Sequence, residues 1–369
     1  MMRRLCFSLF SFLLCTVSSS AAAVRWSDVK QQPAAWHATE EAIAIADNVL
    51  AYQYPSGGWP KNVDMAKPLT PQARAALAAR DEHVGRSDSS PTIDNGATTS
   101  QIVFLANVFN ASLHERHRDA ALRGIDYLLA AQYESGGWPQ FFPLREGYYS
   151  RITFNDDAVL RVLELLRHVA AGDAPYGFVD APRRERAADA VRRGVDCILR
   201  AQIVVSGRPT VWCAQHDEKT LAPASARKFE PACYASYESA GLVRFLMSLD
   251  NPSPEVIAAV QGAVAWFERT RLTGIRFKRT KPPGGDGIVI ADPAAPPLWA
   301  RFYEFGSERP IFVGRDGVIR YRLDEIERER RSGYSWYDDR PQEILSKYPK
   351  WAARHGVSVN ISVDRSETQ

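Results

Sequence analysis

Apolar residues along this chain fall into blocks separated by Ser-Gly turns. At 159, 160, 162, 163, 165 and 166 they occupy nearly every helical face, which predicts a largely buried helix led by Phe154-Asn155-Asp156-Asp157-Ala158. A helical pattern also begins near Trp36 and runs to Tyr52, where Pro55, Gly57 and Gly58 stop it. Amphipathic helices are predicted over 115–132, 184–202 and about 255–269, and mostly apolar ones over 102–106 and 242–246. Between them lie an Ala/Arg-rich piece at 73–80 and a polar loop at 85–91.

These blocks repeat. An amphipathic helix ends in Gln53, Gln132 or Gln202, and a Ser-Gly turn follows at 56–57, 135–136 and 206–207. A loop then delivers polar residues to an apolar helix starting near 96, 158 and 239. The turns are 79 and 71 residues apart, longer and looser than solenoid repeats, which favours a closed ring. The expected fold is all-α dominated: an (α/α)3 toroid over about 36–270, with the polar starts of its inner helices gathered at one end. The last hundred residues change character. A Pro/Gly-rich loop is expected at 281–297, aromatic and β-branched segments lie at 298–305 and 310–313, a short strand follows the Asp316-Gly317 turn, and 324–331 and 342–354 look helical. No linker separates a second domain, so a smaller strand- and loop-rich face and C-terminal helices over 271–369 are expected to cover the toroid, giving one domain over 24–369.

Composition sets the class and compartment. With 45% hydrophobic and 24% charged residues, the chain is that of a folded globular protein. Residues 1–23 have the basic, apolar and small-residue regions of a secretory signal peptide, and the apolar run is too short for a good membrane span. A secreted or periplasmic monomer with no membrane contact after signal removal is expected. Losing Arg3 and Arg4 lowers the +3 formal charge to +1, which gives no pull toward nucleic acid. Cys197, Cys213 and Cys233 remain, either with a Cys213–Cys233 disulfide or as buried thiols.

Four clusters are candidates for chemistry. Asp94-Asn95 and Asp156-Asp157 stand at helix starts, where N-capping is the simplest use of such residues. Two adjacent acids exceed what a cap needs, and carboxylates gathered in a cleft suit a hard cation such as Ca²⁺. Arg301, Arg309 and Arg315 are interleaved with Trp299, Phe302, Tyr303, Phe305 and Phe312, and several arginines in one place imply an anionic ligand. The mixed-charge loop at 212–219 and 227–230 reads either as solvated or as part of a site. Trp59 and Trp138 are packing anchors or sugar platforms.

Tyr-Pro-Ser-Gly-Gly-Trp-Pro-Lys-Asn (54–62), Thr-Ile-Asp-Asn-Gly-Ala-Thr-Thr (92–99), Ser-Gly-Gly-Trp-Pro-Gln (135–140), Phe-Asn-Asp-Asp-Ala (154–158), Trp-Cys-Ala-Gln-His-Asp (212–217), Ala-Arg-Lys-Phe-Glu (226–230) and Gly-Arg-Asp-Gly (314–317) occur in this order. Together they resemble the pectate lyases of polysaccharide lyase family 10, over roughly residues 40–340. The resemblance implies calcium-dependent β-elimination of polygalacturonate on an (α/α)3 toroid. It implies Asp94 and Asp156, with Asp157 adjacent, as metal ligands, and Arg227 as the base. It implies Arg301 and Arg315, with Arg309, Lys219 and Asn95, as substrate-binding residues. Phe229 departs from the family pattern, which more often has Tyr. Arginine is a poor base at neutral pH, so burial beside Ca²⁺ and other arginines is expected to lower its pKa. Two other readings are a toroid glycoside hydrolase using Asp156 with Glu304, and a uronan-binding protein without catalysis.

Overall fold

Tryptophans and glutamines from the repeated turns tie the helices together. The computed structural model describes residues 24–81, 89–280 and 285–357; the signal peptide expected at 1–23, residues 85–88 of the polar loop and 281–284 of the Pro/Gly stretch lie outside them. The protein is mainly helical with little sheet. Its α-helices are α1 (Glu40–Tyr52), α2 (Pro71–Ala78), α3 (Thr99–Ser112), α4 (Glu115–Ala130), α5 (Ala158–Ala171), α6 (Ala181–Ala201), α7 (Ser236–Met247), α8 (Pro254–Thr270), α9 (Arg328–Gly333) and α10 (Arg340–Arg354).

The pairs α3/α4, α5/α6 and α7/α8 pack in chain order, with α3, α5 and α7 meeting along one row and α4, α6 and α8 along another. Burial explains the two rows. α5 buries Val159, Leu160, Val162, Leu163, Leu165 and Leu166, leaving little polar face. α6 buries only a stripe of Ala187, Ala190, Gly194, Cys197, Ile198 and Ala201, and its outer face carries the i,i+4 pairs Asp189–Arg193 and Asp196–Arg200.

The indoles of Trp59, Trp138, Trp212 and Trp299 are fully buried, and each donates Nε1 to a carbonyl near the end of an outer helix: Val49, Leu128, Ile198 and Phe267, at 2.7–2.9 Å. Trp59 and Trp138 are therefore packing anchors, and Trp299 extends the device to a fourth helix. Gly124 admits Trp59: a Cβ there would lie 2.8 Å from the indole and 2.6 Å from Ile102. The glutamines join each turn to the next outer helix. Gln53 Nε2 donates to Gly57 O and Ala120 O, Gln132 to Gly136 O and Ala190 O, and Gln202 to Thr210 O and Ala259 O, all at 2.8–2.9 Å.

Short antiparallel pairs stitch the loops at the inner-helix starts. Ile152–Thr153 pairs with Gln215–His216, and Tyr234–Ala235 pairs with Phe302–Tyr303. The second pairing carries the C-terminal region back to the start of α7 and sets Arg301 beside the start of α5. The loop expected across 281–297 is corrected at Gly287–Ala291, which pairs with Ile275–Arg279. β-Branched Ile288, Val289 and Ile290 suit a strand, but the neighbouring prolines and glycines mask them in the sequence. Cys197, Cys213 and Cys233 are buried free thiols, so the disulfide alternative is not realised in this structure. No described helix is long and apolar enough to cross a membrane.

Candidate active site

Two turns of the same design lead into α3 and α5. Each is a single 3-10 turn, Asp94–Gly96 or Asn155–Asp157, whose middle residue has positive φ: Asn95 at 52° and Asp156 at 50°. Asn and Asp tolerate this left-handed conformation better than other side chains. The acid and amide change places between the turns, so Asp156 occupies the place of Asn95, and Asn155 that of Asp94. The turns lie side by side, with Cα atoms within 8 Å.

Asp94 is buried and fully engaged. Its Oδ2 accepts from Lys61 Nζ and Gln140 Nε2, both at 2.7 Å, and its Oδ1 from the Asn95 amide at 3.0 Å. Lys61 and Gln140 each follow a Trp-Pro pair, so two repeated turns converge on one carboxylate. Sequence reasoning singled out neither, although both hold equivalent places in the repeat. Asn95 is exposed and its Nδ2 donates to Asn62 Oδ1.

Asp156 faces Arg301, which is only 4% exposed. Arg301 Nη2 is shared among Asp156 Oδ1 at 3.0 Å, Asn155 Oδ1 at 3.1 Å and Glu238, a wholly buried carboxylate on α7. Burial pushes the Glu238 carboxyl above its ordinary pKa, while Arg301 pulls it back down. Glu238→Ala should destabilise the fold by about 3 kcal/mol, the lower end for breaking a buried pair, because Asp156 and Asn155 still accept from Arg301. A denaturant titration showing under about 1 kcal/mol would contradict this account of the pair. Asp157 is committed to Arg340, whose Nη1 lies 3.0 Å from Oδ2. That ion pair fastens α10 to the start of α5, and the Arg340 contact with Tyr237 fastens it to α7. The structure thus uses Asp157 for packing rather than leaving it open beside Asp156.

Arg227 lies half exposed in the loop before α7 and is gripped by Glu230, with Nε at 2.8 Å and Nη2 at 2.5 Å. That pairing raises the Arg227 pKa above the ordinary guanidinium value, against the effect of burial. The lowering expected from the sequence is not seen, because the nearest charge is a carboxylate three residues away. Arg227 also stacks on Phe229, 5.0 Å from the ring centroid. Arg315 and Arg330 approach the same ring at 4.7 and 4.5 Å. Tyr334 joins this patch to Arg301, with guanidinium carbons of Arg301 and Arg330 at 4.8 and 4.6 Å from its ring. A small cavity lined by Asn155, Ala226, Glu230 and Phe302 connects the Arg227 loop to the acid turn.

The other sequence candidates lie apart from this patch. Arg309 is exposed and stacks on Tyr321 at 3.9 Å. Tyr321 in turn donates to Glu304 at 2.8 Å. Lys219 is exposed on the turn closed by Asp217, to which its backbone amide donates. His216 is buried and neutral, with burial pushing its pKa down to about 4. It accepts from the Cys213 amide and pairs with Leu221 O, so it shapes the loop. Among the described residues no group of three or more His, Cys, Asp or Glu side chains could hold a metal ion.

Carboxylates and guanidinium groups brought together at the inner-helix starts suit an anionic ligand. The sequence model of the Pectic acid lyase family matches residues 53–345, and the chain belongs to that family; it is a polysaccharide lyase. Among solved structures, a family 10 polysaccharide lyase from Cellvibrio cellulosa is 33% identical, with 90% of this chain and 95% of that one covered and a TM-score of 0.73. A mutant of the Cellvibrio enzyme in complex with trigalacturonic acid is 32% identical, with 88% and 95% covered and a TM-score of 0.73. Among curated proteins none matches.

Proposed function

We propose that this chain is an exported pectate lyase that cleaves polygalacturonate by calcium-dependent β-elimination, on helical hairpins arranged as an (α/α)3 toroid. The observation that carries the reading is the meeting of the two acid turns with the arginine–aromatic patch around Phe229 and Tyr334 in a member of the Pectic acid lyase family. Export rests on the signal-like pattern at 1–23.

The donor types suit a shared calcium site, since Asp94 and Asp156 offer oxygen only, but each already faces a cation, Lys61 or Arg301, with which Ca²⁺ would compete. Two carboxylates fall well short of the six to eight oxygens Ca²⁺ takes, so substrate carboxylates and water would complete the shell. Bound there, Ca²⁺ would withdraw charge from the uronate carboxylate and acidify C5. Arg315 would grip a uronate carboxylate through its planar fork in exchange for Glu329, which holds that fork here, and Arg301 would hold Asp156 in place. In this reading Arg227, once freed from Glu230, gives a proton to water and then, as the neutral guanidine, takes the C5 proton. The C5–H electrons form the C4–C5 double bond, the C4–O bond breaks, and the leaving oxygen takes a proton from water.

The hydrolase alternative fares poorly here. Hydrogen bonds from Ser307 and Tyr321 hold the Glu304 carboxyl below its ordinary pKa, which suits a carboxylate and not a general acid. The test follows ultraviolet absorbance and reducing ends together on polygalacturonate and on highly methyl-esterified pectin. A lyase generates both signals, because its product is a conjugated 4,5-unsaturated uronate; a hydrolase generates reducing ends alone, and a binding protein neither. Masking carboxylates by esterification should cost roughly 2–5 kcal/mol of transition-state binding per lost contact. Equal rates on the two polymers would remove the carboxylate-binding role from the arginines.

A further inference from the structure

Three guanidinium groups share the Phe229 ring, and two of them are neutralised. Arg227 has Glu230 and Arg315 has Glu329. The third, Arg330 on α9, is 5% exposed. Its Nη2 has no hydrogen-bond partner, and its Nε makes one long contact with Val313 O at 3.5 Å. Its walls are the rings of Phe229, Tyr334 and Trp336, at 4.5, 4.6 and 5.1 Å. Among the described residues no carboxylate pairs with it. Glu230 and Glu329 act on it only from beyond ion-pair distance, so its burial is poorly offset.

We propose that Arg330 is a positioning residue for Arg227: a buried cation with no direct carboxylate partner, fixed behind Phe229, that disfavours the protonated form of Arg227 and opposes the hold of Glu230. This rests on the reading of Arg227 as the base. Around Arg227, Glu230, Tyr334 and Tyr148 favour the charged guanidinium, whereas Arg315 and Arg330 repel it. Arg315 is half solvated and bound to Glu329, so its charge is screened; Arg330 is dry and unpaired. Burial pushes the Arg330 pKa below the ordinary value; Tyr334 and Glu230 oppose this, and Arg315 and Arg227 add to it.

Removing this charge should make Arg227 harder to deprotonate. In Arg330→Met the acid limb of the kcat/KM profile on polygalacturonate should move up by about one pH unit, with turnover at neutral pH down about tenfold and recovering in alkali. KM should change little, and Arg330→Lys should keep the limb near its wild-type position. Arg330→Gln gives the same readout if the methionine form does not fold. A uniform loss at every pH, or an unmoved limb, with Arg227→Ala inactive, would overturn the proposal and leave Arg227 as the base. An active Arg227→Ala would instead overturn the base assignment, and this proposal with it.

Discussion

Arg227→Ala should lower turnover on polygalacturonate by about a hundredfold or more, since it removes the group proposed to accept the C5 proton. Binding of the polymer should change little, because Asp94, Asp156, Arg301 and Arg315 keep their partners. Thermal stability should fall only modestly: Arg227 is half exposed, and the more buried Glu230 keeps the Tyr334 hydroxyl as a donor. The rival reading makes that pair a surface ion pair and nothing more, and then the alanine form stays active. Lysine should rescue only in part. Its ammonium loses a proton near ~10.4, more readily than a guanidinium, but without the planar fork it reaches C5 differently. Steady-state rates across alkaline pH decide the matter. Near-wild-type turnover of the alanine form would move the base elsewhere, and Arg315, on the same ring as Arg227, would be tested next.

Asp156→Ala should be inactive or need far more calcium, and chelation of the wild-type enzyme should abolish turnover until Ca²⁺ is restored. The fold should survive, because Asp156 is part-exposed and Arg301 keeps its buried partner Glu238. Circular dichroism should therefore match wild type while calorimetry shows weakened calcium binding. Full activity in excess chelator would end the calcium reading. Wild-type calcium affinity in Asp156→Ala would send the metal to other oxygens.

Local patterns made much of this visible in the sequence. The apolar run at 159–166, the glutamines ending three helices and the Asp-Asn and Asn-Asp-Asp segments all depend on neighbours in the chain. Glu238 was harder. It reads as an ordinary acid in the first turn of a helix, and its burial follows from an arginine 63 residues later that only strand pairing brings near. Lys61 and Gln140 act together only because two distant turns meet at Asp94. Arg330 and Arg340 sit in a charged C-terminal stretch whose pattern looks solvated, yet aromatic rings enclose one and Asp157 holds the other. The strand at Gly287–Ala291 was hidden because proline and glycine dominate its surroundings.

The tryptophan anchors make the active end sensitive to distant change. Lys61 stands two residues after Trp59, which hangs from α1, and Gln140 two residues after Trp138, which hangs from α4. Asp94 accepts from both, so its carboxylate works like a gauge stretched between two outer helices. A substitution that shifts α1 against α4, far from any sugar, pulls Lys61 and Gln140 apart, and Asp94 can follow only one of them. Variants of the outer surface can therefore lose activity while every residue at the cleft is unchanged.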